Sequence, residues 1–119
     1  MRRSPALVIG SLLAVIGIGL GAFGSHGLRH ILDPVPLEWW HTAVQYQMWQ
    51  ALGLIGLGAS RLDQLAWPIT LLTLGTLLFA GSLYLLALTG LHWLGMITPL
   101  GGLLMMAGWA SVAWRAWQA

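Results

Sequence analysis

Charged residues divide this chain into long uncharged intervals, and these intervals constrain its fold more than any other feature. No Asp, Glu, Lys or Arg lies in residues 4–25, 39–60 or 64–114. A helix needs roughly 20 apolar residues to cross the hydrocarbon core of a bilayer, so the first two intervals each hold one crossing. The third interval is long enough for two crossings, separated by a turn at residues 89–92. The pattern predicts four transmembrane helices, near 5–25, 37–60, 66–88 and 93–114.

These helices predict an all-α fold, an integral membrane four-helix bundle with a short amphipathic segment between helices 1 and 2. In that segment Leu28 and Ile31 would lie on the membrane while Arg29 faces water. No linker or low-complexity stretch interrupts the chain, so residues 1–119 are expected to form a single transmembrane domain. The first apolar run follows cationic residues as a signal peptide does. Because it reaches full spanning length, we expect it to remain as a helix.

The scarcity of charge excludes most soluble classes of protein. Apolar residues make up 58% of the chain and charged residues 7%, against about 25% charged residues in an ordinary soluble domain. Five cationic and three acidic side chains cannot cover the surface of a water-soluble globule of this length. The cationic residues are scattered, so no nucleic-acid partner is expected. The absence of Cys excludes a disulfide scaffold, and no cofactor is expected.

The Arg residues predict the orientation of the chain. With four helices, both termini and the second connection share one side of the membrane, and that side carries Arg2, Arg3, Arg61 and Arg115. The opposite side carries only Arg29. Because short loops rich in Lys and Arg stay in the cytoplasm, we predict a multi-pass protein of the cytoplasmic (inner) membrane with both termini in the cytoplasm.

Tryptophan residues are expected to mark the two membrane interfaces, where an indole ring has both apolar and polar surroundings. The outer interface would hold Trp39, Trp40 and Trp93. The inner interface would hold Trp67, Trp114 and Trp117.

Small residues form a stripe along helix 1. Gly10, Ala14, Gly17, Gly21 and Gly24 are spaced by four, three, four and three residues, which places them on one face. Small side chains let helix backbones approach closely in a membrane. We therefore expect this stripe to pack against another helix of the same chain, with a homo-oligomer interface as the alternative.

A Thr-Pro pair, Thr98 and Pro99, interrupts helix 4 of the prediction. Proline removes a backbone donor, so a kink is predicted near residues 96–98. The Thr98 hydroxyl would bond back to the carbonyl oxygen that the proline leaves free. The alternative is a kinked, glycine-rich helix that gates a path.

Helix 2 is the most polar of the four helices. Because unpaired amides are costly in a membrane, its polar face should point into the bundle. The expected partners are Ser82 and Tyr84 on helix 3. The result would be a network that fixes helix register or, alternatively, a binding cavity or polar path. The predicted intramembrane polar cluster comprises Tyr46, Gln47, Gln50, Ser82 and Tyr84.

Histidines are the candidates for chemistry on the outer side. His26 and His30 lie four residues apart, and His41 is placed on the same side of the membrane. A metal site built on these three residues is one hypothesis, although no paired metal-ligand motif supports it. The chain has no Cys, no GxSxG motif and no acid within a predicted span, so none of these features indicates a catalytic site. We therefore expect no enzymatic activity.

Four motifs occur in order along the chain: GAFGSHGL (21–28), WWHTAVQYQMWQALGL (39–54), LGTLLFAGSLYLLAL (74–88) and TPLGGLLMMAGW (98–109). Together they resemble the small four-helix membrane family catalogued as domain of unknown function 423 (YgdD/YwdK-like). The resemblance implies a bacterial inner-membrane protein and does not imply an activity. It singles out an outer-face motif, namely Gly21, Phe23, Gly24 and His26. It also marks two departures, since Ser25 replaces a usual alanine and Gln50 stands where members often carry histidine.

These observations favour a non-enzymatic structural or accessory component of a membrane assembly. The expected partners are the lipid bilayer and either another membrane protein or further copies of the chain. Two alternatives stay open. One is a small channel or carrier that uses the polar face of helix 2, and the other is a histidine-based metal-binding protein or membrane enzyme.

Overall fold

A computed structural model describes residues 3–119, and its regular structure is helical throughout that range. This confirms the predicted all-α fold with four long helices. Two short 3₁₀ helices, Leu28–His30 and His92–Met96, lie in the first and third connections. The four long helices are α1 (Pro5–His26), α2 (Pro34–Ala59), α3 (Ala66–Thr89) and α4 (Thr98–Gln118).

Helix α2 begins at Pro34, three residues before the predicted start. The prediction left Pro34 in the preceding connection and placed Pro36, which likewise lacks a backbone N–H, in the first turn of helix 2. Backbone N–H groups in the first turn of a helix have no acceptor within the helix, so both prolines fit there without losing a hydrogen bond. Asp33 precedes the helix in an extended conformation, with φ −63° and ψ 162°. The amphipathic connection is correspondingly shorter, and within it Leu28 is buried while Arg29 is exposed.

The connection between α3 and α4 contains both a confirmed turn and a correction. Gly90 has φ +71°, a left-handed conformation that favours glycine, and its N–H donates to the Leu86 carbonyl oxygen at 2.8 Å. The predicted helix 93–114 is not one continuous α-helix. The chain forms a 3₁₀ helix, passes through Ile97 and starts α4 at Thr98, so the irregularity falls at the predicted residues 96–98 and Pro99 lies in a first turn. The Thr98 hydroxyl lies 3.5 Å from the Leu94 carbonyl oxygen and makes a shorter hydrogen bond with Ser82, so the expected bond to the carbonyl that Pro99 leaves free is not formed.

Consecutive helices pack antiparallel, and small residues set how closely they approach. The helix 1 stripe faces α2: a Cβ atom on Gly10 would lie 2.7 Å from the Ala51 carbonyl oxygen. The contact between α3 and α4 is as close, because a Cβ atom on Gly75 would lie 2.8 Å from the Gly101 carbonyl oxygen. The stripe is therefore used within the chain, which was the first of the two interpretations given above.

The helices form an open layer rather than a closed square. Helix α1 packs on α2, α2 on α3 and α3 on α4, whereas α1 and α4 lie at opposite edges. The Cα atoms extend over 48 × 29 × 17 Å, and the longest of these dimensions matches a bilayer with its interfacial regions. Because α4 rests mainly on α3, a groove remains between α4 and α2.

Three helical segments are long and apolar enough to span a membrane, namely Pro5–His30, Ala66–Thr89 and His92–Gln118. Helix α2 has 26 residues, which is sufficient length, but it is more polar. Two of its polar side chains, Gln47 and Gln50, are buried against neighbouring helices and are not presented to lipid. A crossing by α2, and hence the count of four spans, stays a prediction.

Candidate functional site

Four of the five polar side chains expected to form one intramembrane cluster divide into three separate hydrogen-bonded sets, and the fifth, Tyr46, belongs to none of them. The first joins α1, α2 and α3 through Gln47. The second joins α3 to α4 through Ser82. The third joins α2 to α4 through Gln50. The three sets have different structural consequences.

Gln47 is buried where three helices meet, and both ends of its amide are paired. Its Nε2 donates to the Leu13 carbonyl oxygen of α1 at 2.9 Å, and its Oε1 accepts from the Tyr84 hydroxyl of α3 at 2.7 Å. Tyr84 is the partner that the sequence suggested. The Tyr84 ring also packs against Trp40, with ring centroids 4.6 Å apart. This set ties three helices together.

Ser82 does not contact α2, contrary to the prediction. Its hydroxyl is hydrogen-bonded to the Thr98 hydroxyl of α4, at 2.5 Å, and donates to the Phe79 carbonyl oxygen at 2.9 Å. Ser82 and Tyr84 are two residues apart on a helix, so their side chains point about 200° apart. They cannot both face α2, and Ser82 faces α4 instead.

Gln50 is half paired. The Trp109 indole N–H of α4 donates to Gln50 Oε1 at 2.7 Å. An indole N–H can only donate, so the amide oxygen must face Trp109 and the amide NH₂ must point elsewhere. Within residues 3–119 the NH₂ group has no hydrogen-bond acceptor, although the Gln50 side chain is only 8% exposed. The NH₂ group is not sealed inside the protein, because within residues 3–119 the Thr73 hydroxyl alone is both fully buried and unpaired.

The amide of Gln50 borders the groove between α2 and α4, which has a volume of about 730 Å³. The Tyr46 ring packs on Phe79 with centroids 4.5 Å apart, and the Tyr46 hydroxyl has no hydrogen-bond partner among residues 3–119. Aromatic and other apolar side chains dominate the lining: Tyr46, Gln50, Phe79, Pro99, Gly102, Leu103, Met105, Met106 and Trp109.

The predicted cluster therefore missed Phe79, Gly102 and Trp109. A signal for Trp109 was present in the sequence: a mid-helix indole needs a buried acceptor, and an amide on α2 supplies one. Sequence spacing could not decide between Gln47 and Gln50 as that acceptor.

The outer-face motif forms a packing site for Trp40. A Cβ atom on Gly24 would lie 2.6 Å from the Trp40 ring, and the Trp40 indole N–H donates to the Leu20 carbonyl oxygen at 2.8 Å. Phe23 packs edge-on against the same ring. Trp40 is thus buried in the bundle and its ring is not presented to lipid, while its predicted depth at the outer interface stays a prediction. Gly21 makes a looser contact, with Val44, and His26 is exposed.

The candidate metal ligands do not lie close enough together to form a metal site. Within residues 3–119 no three His, Asp or Glu side chains come together in a way that could hold a metal ion. His26, His30 and His41 are all exposed, and a Cβ atom on Gly24 would lie 3.4 Å from the His41 ring. The described part of the chain thus gives the metal hypothesis no site.

Comparisons with known proteins agree with the motifs. The family model described as "Protein of unknown function (DUF423)" matches residues 20–102, well over half of the chain. The chain belongs to the DUF423 family. The matched range contains all of α2 and α3, including Gln47, Gln50 and Tyr84.

Relatives of this DUF423 protein are named as membrane proteins. A UPF0382 membrane protein of Staphylococcus haemolyticus is 45% identical over 106 residues, covering 87% of each chain. The UPF0382 membrane protein YwdK of Bacillus subtilis is 40% identical over 111 residues, covering 89% of this chain and 90% of YwdK. The UPF0382 inner membrane protein YgdD of Escherichia coli K12 is 37% identical over 108 residues, covering 87% of this chain and 82% of YgdD. No solved structure matches the chain. The protein is accordingly a helical membrane protein of this family.

Proposed function

We propose that the protein is a non-enzymatic accessory component of a membrane assembly. The observation that carries this proposal is that most of the intramembrane polar groups are hydrogen-bonded to a neighbouring helix. Gln47 holds three helices together, and Ser82 and Gln50 each tie α4 to a neighbour. Gln47 and Ser82 use their polar atoms in bonds between helices, which stabilises a scaffold, and of the five predicted polar side chains only the Gln50 amide NH₂ and the Tyr46 hydroxyl keep an unpaired group within residues 3–119.

The same geometry supports a channel less well. A polar path needs adjacent polar groups along the membrane normal, whereas the three hydrogen-bonded sets face different helix pairs. The groove beside Gln50 is largely apolar and open towards lipid. Water and ions would gain few hydrogen bonds there.

A partner would contact the uncovered side of α4. This helix packs mainly on α3, and Leu103, Ala107 and Trp114 are exposed along its length. The bilayer covers such a surface in an isolated chain, and another transmembrane protein covers it in an assembly.

Site-specific photo-crosslinking in native membranes tests the accessory role. A photoreactive residue at Ala107 on α4 is expected to yield one discrete crosslinked protein. The same residue at Val15, on the exposed face of α1, serves as the matched control and should give mainly lipid adducts. Crosslinks to lipid alone at both positions, with a monomeric mass in mild detergent, would contradict the proposal. Crosslinks only to a second copy would replace it by self-assembly.

The proposed orientation places both termini in the cytoplasm of a cell with an inner membrane. Its support is the distribution of cations, since Arg3, Arg61 and Arg115 all belong to the end of the bundle opposite Arg29. Arg2, the fourth cation of that side, lies outside the described residues. Trp67, Trp114 and Trp117 are strongly exposed near the same end, as interfacial rings are.

Reporter fusions test this orientation. A reporter at the C-terminus should show cytoplasmic activity, and one inserted after Asp33 in the first connection should show periplasmic activity. Periplasmic activity at the C-terminus would overturn the orientation. Cytoplasmic activity at both positions would mean that α1 does not cross the membrane.

A further inference from the structure

We infer that the groove between α2 and α4 is a binding site for a flat, neutral, lipid-soluble carbonyl compound, such as a quinone ring on an apolar tail. This inference goes beyond the accessory role and does not depend on it. Four features carry it: an unpaired donor pair, the depth of that pair in the membrane, the aromatic lining and the absence of charge.

Two hydrogen-bonding groups at the groove lack protein partners. The Gln50 NH₂ group points away from Trp109, and the Tyr46 hydroxyl is unpaired within residues 3–119. The two residues are four apart on α2, so their side chains lie on the same face one turn apart. Both groups donate, and a compound that satisfies them must bring an acceptor oxygen.

With α2 crossing the membrane as predicted and centred in it, the depth of Gln50 excludes the lipid ester as that acceptor. Gln50 lies about 24 Å along the axis from Pro34, the first residue of α2, and about 14 Å from Ala59, the last. It is therefore within about 5 Å of the middle of the helix. Phospholipid ester carbonyls lie at the edge of a hydrocarbon core about 30 Å thick, roughly 10 Å farther from the midplane. Acyl chains reach Gln50 but carry no acceptor.

The shape of the groove favours a flat ring. Tyr46, Phe79 and Trp109 supply three aromatic surfaces around the amide, and aromatic rings prefer to stack on flat unsaturated partners. A volume of about 730 Å³ lies within the usual range for small-molecule sites. Leu103 and Met106 extend the apolar lining towards the lipid, where a hydrocarbon tail would lie, and methionine adapts readily to such a tail.

The lining requires a neutral compound. None of the groove residues is Asp, Glu, Lys, Arg or His, so a charged group would be buried without a counter-ion at large cost. Carbonyl oxygens accept hydrogen bonds without carrying charge. They fit the two donors and the apolar walls together.

Binding is tested on the full chain in phosphatidylcholine nanodiscs, with 2-methyl-1,4-naphthoquinone bearing a short isoprenoid tail as the probe. Quenching of tryptophan fluorescence should include a saturable component with the unaltered chain. Gln50→Leu is expected to weaken that component about two- to tenfold, the range expected for one lost neutral hydrogen bond. Gln45→Leu removes the same group from the same helix at an exposed position, and should leave binding unchanged.

Two further measurements separate binding from folding. Gly102→Leu should abolish the saturable component while the helical circular dichroism is kept, because a Cβ atom there meets only the Phe79 ring, at 3.8 Å. With a ¹³C-carbonyl probe, the infrared carbonyl band should shift to lower frequency with the unaltered chain and with Gln45→Leu, but not with Gln50→Leu.

Quenching that never saturates, or that is equal in the unaltered chain and Gly102→Leu, would overturn the inference. A second experiment places a photoreactive residue at Met106 in native membranes. Capture of a transmembrane protein there, in an amount that the probe does not reduce, would also overturn the inference. A partner helix would then occupy the groove.

Discussion

Gln47 and Gln50 carry the same side chain on the same helix, three residues apart, yet their surroundings differ. Gln47 has α1 on one side and α3 on the other, and its amide donates and accepts within the protein. Gln50 faces the groove that α4 and Phe79 of α3 line, and half of its amide is unpaired within residues 3–119. The Gln47 amide is structural because neighbouring helices supply partners for both of its ends. The Gln50 amide is available for binding because α4 supplies a partner for its oxygen only.

The glycine pattern explains part of this difference. Gly17 brings α1 close to Gln47: a Cβ atom there would lie 3.4 Å from Gln47 Nε2 and 2.5 Å from the Met48 sulfur. The corresponding approach of α4 to α2 is made by a large side chain, Trp109, over Gly53. A ring of that size holds the two backbones apart and leaves the groove beside it.

The largest expected effect comes from separating α3 and α4, which form one side of the groove. Gly101→Leu should lower the free energy of unfolding by about 3 kcal/mol, the upper end for overpacking. A Cβ atom at Gly101 would lie 2.7 Å from the Gly75 carbonyl oxygen and against the Phe79 backbone. Unfolding in mild detergent, followed by circular dichroism, measures the loss.

Gly102→Leu is the matched control for this prediction. The adjacent glycine opens onto the groove, where the nearest atoms belong to the flexible Phe79 ring. Its replacement should change the free energy of unfolding by less than about 1 kcal/mol. Equal losses for the two variants would mean that the contact between α3 and α4 is not as close as described.

The second prediction compares the two glutamines directly. Gln47→Leu removes two hydrogen bonds and leaves both the Leu13 carbonyl oxygen and the Tyr84 hydroxyl without their partner. Gln50→Leu removes one bond, to Trp109. At about 0.6 kcal/mol for each bond between membrane helices, Gln47→Leu should destabilise the fold by about 1.2 kcal/mol and Gln50→Leu by about 0.6 kcal/mol.

Steric trapping or reversible unfolding in detergent would measure this difference. Gln45→Leu, at an exposed position of the same helix, controls for the change in hydrophobicity and should be nearly neutral. If Gln50→Leu were as destabilising as Gln47→Leu, then Gln50 would be as fully engaged as Gln47. The surroundings of Gln47 and Gln50 would then not differ in the way described above.

Much of the fold could be predicted from the sequence because the bilayer imposes a simple requirement. Uncharged intervals long enough to cross the hydrocarbon core predict helices, and four were found. The small-residue stripe of helix 1 and the turn at Gly90 also follow from local chemistry. The early start of α2 did not, because Pro34 is also acceptable in a first helical turn. The break before Pro99 lies where a kink was predicted, but the Thr-Pro pair did not show that a separate 3₁₀ helix would precede α4.

The candidate site was harder to predict because it depends on which neighbour each residue faces. Periodicity placed Gln47 and Gln50 near one another but could not show that α1 reaches only the first. Trp109 is 59 residues from Gln50 in sequence, and no local pattern joins them. Gly21 and Gly24 are equivalent by spacing, yet their contacts differ. A Cβ atom on Gly21 would lie 3.2 Å from Val44, whereas one on Gly24 would lie 2.6 Å from the Trp40 ring.

The smallest predicted effect concerns the Ser82–Thr98 pair, which lies between the two compared regions. One of the two hydroxyls donates to the other, and each also has a carbonyl oxygen of its own helix or turn within reach of its single proton, Phe79 for Ser82 and Leu94 for Thr98. Loss of one hydroxyl therefore leaves the other satisfied by backbone. A double-mutant cycle of Ser82→Ala and Thr98→Val should give a coupling energy below about 0.5 kcal/mol.

The same cycle for Gln47→Leu and Tyr84→Phe should give a larger coupling energy, because in residues 3–119 the Tyr84 hydroxyl bonds to Gln47 alone. A larger coupling for Ser82 and Thr98 would show that the contact between α3 and α4 relies on this bond as well as on Gly75 and Gly101. The groove would then rest on polar as well as steric support.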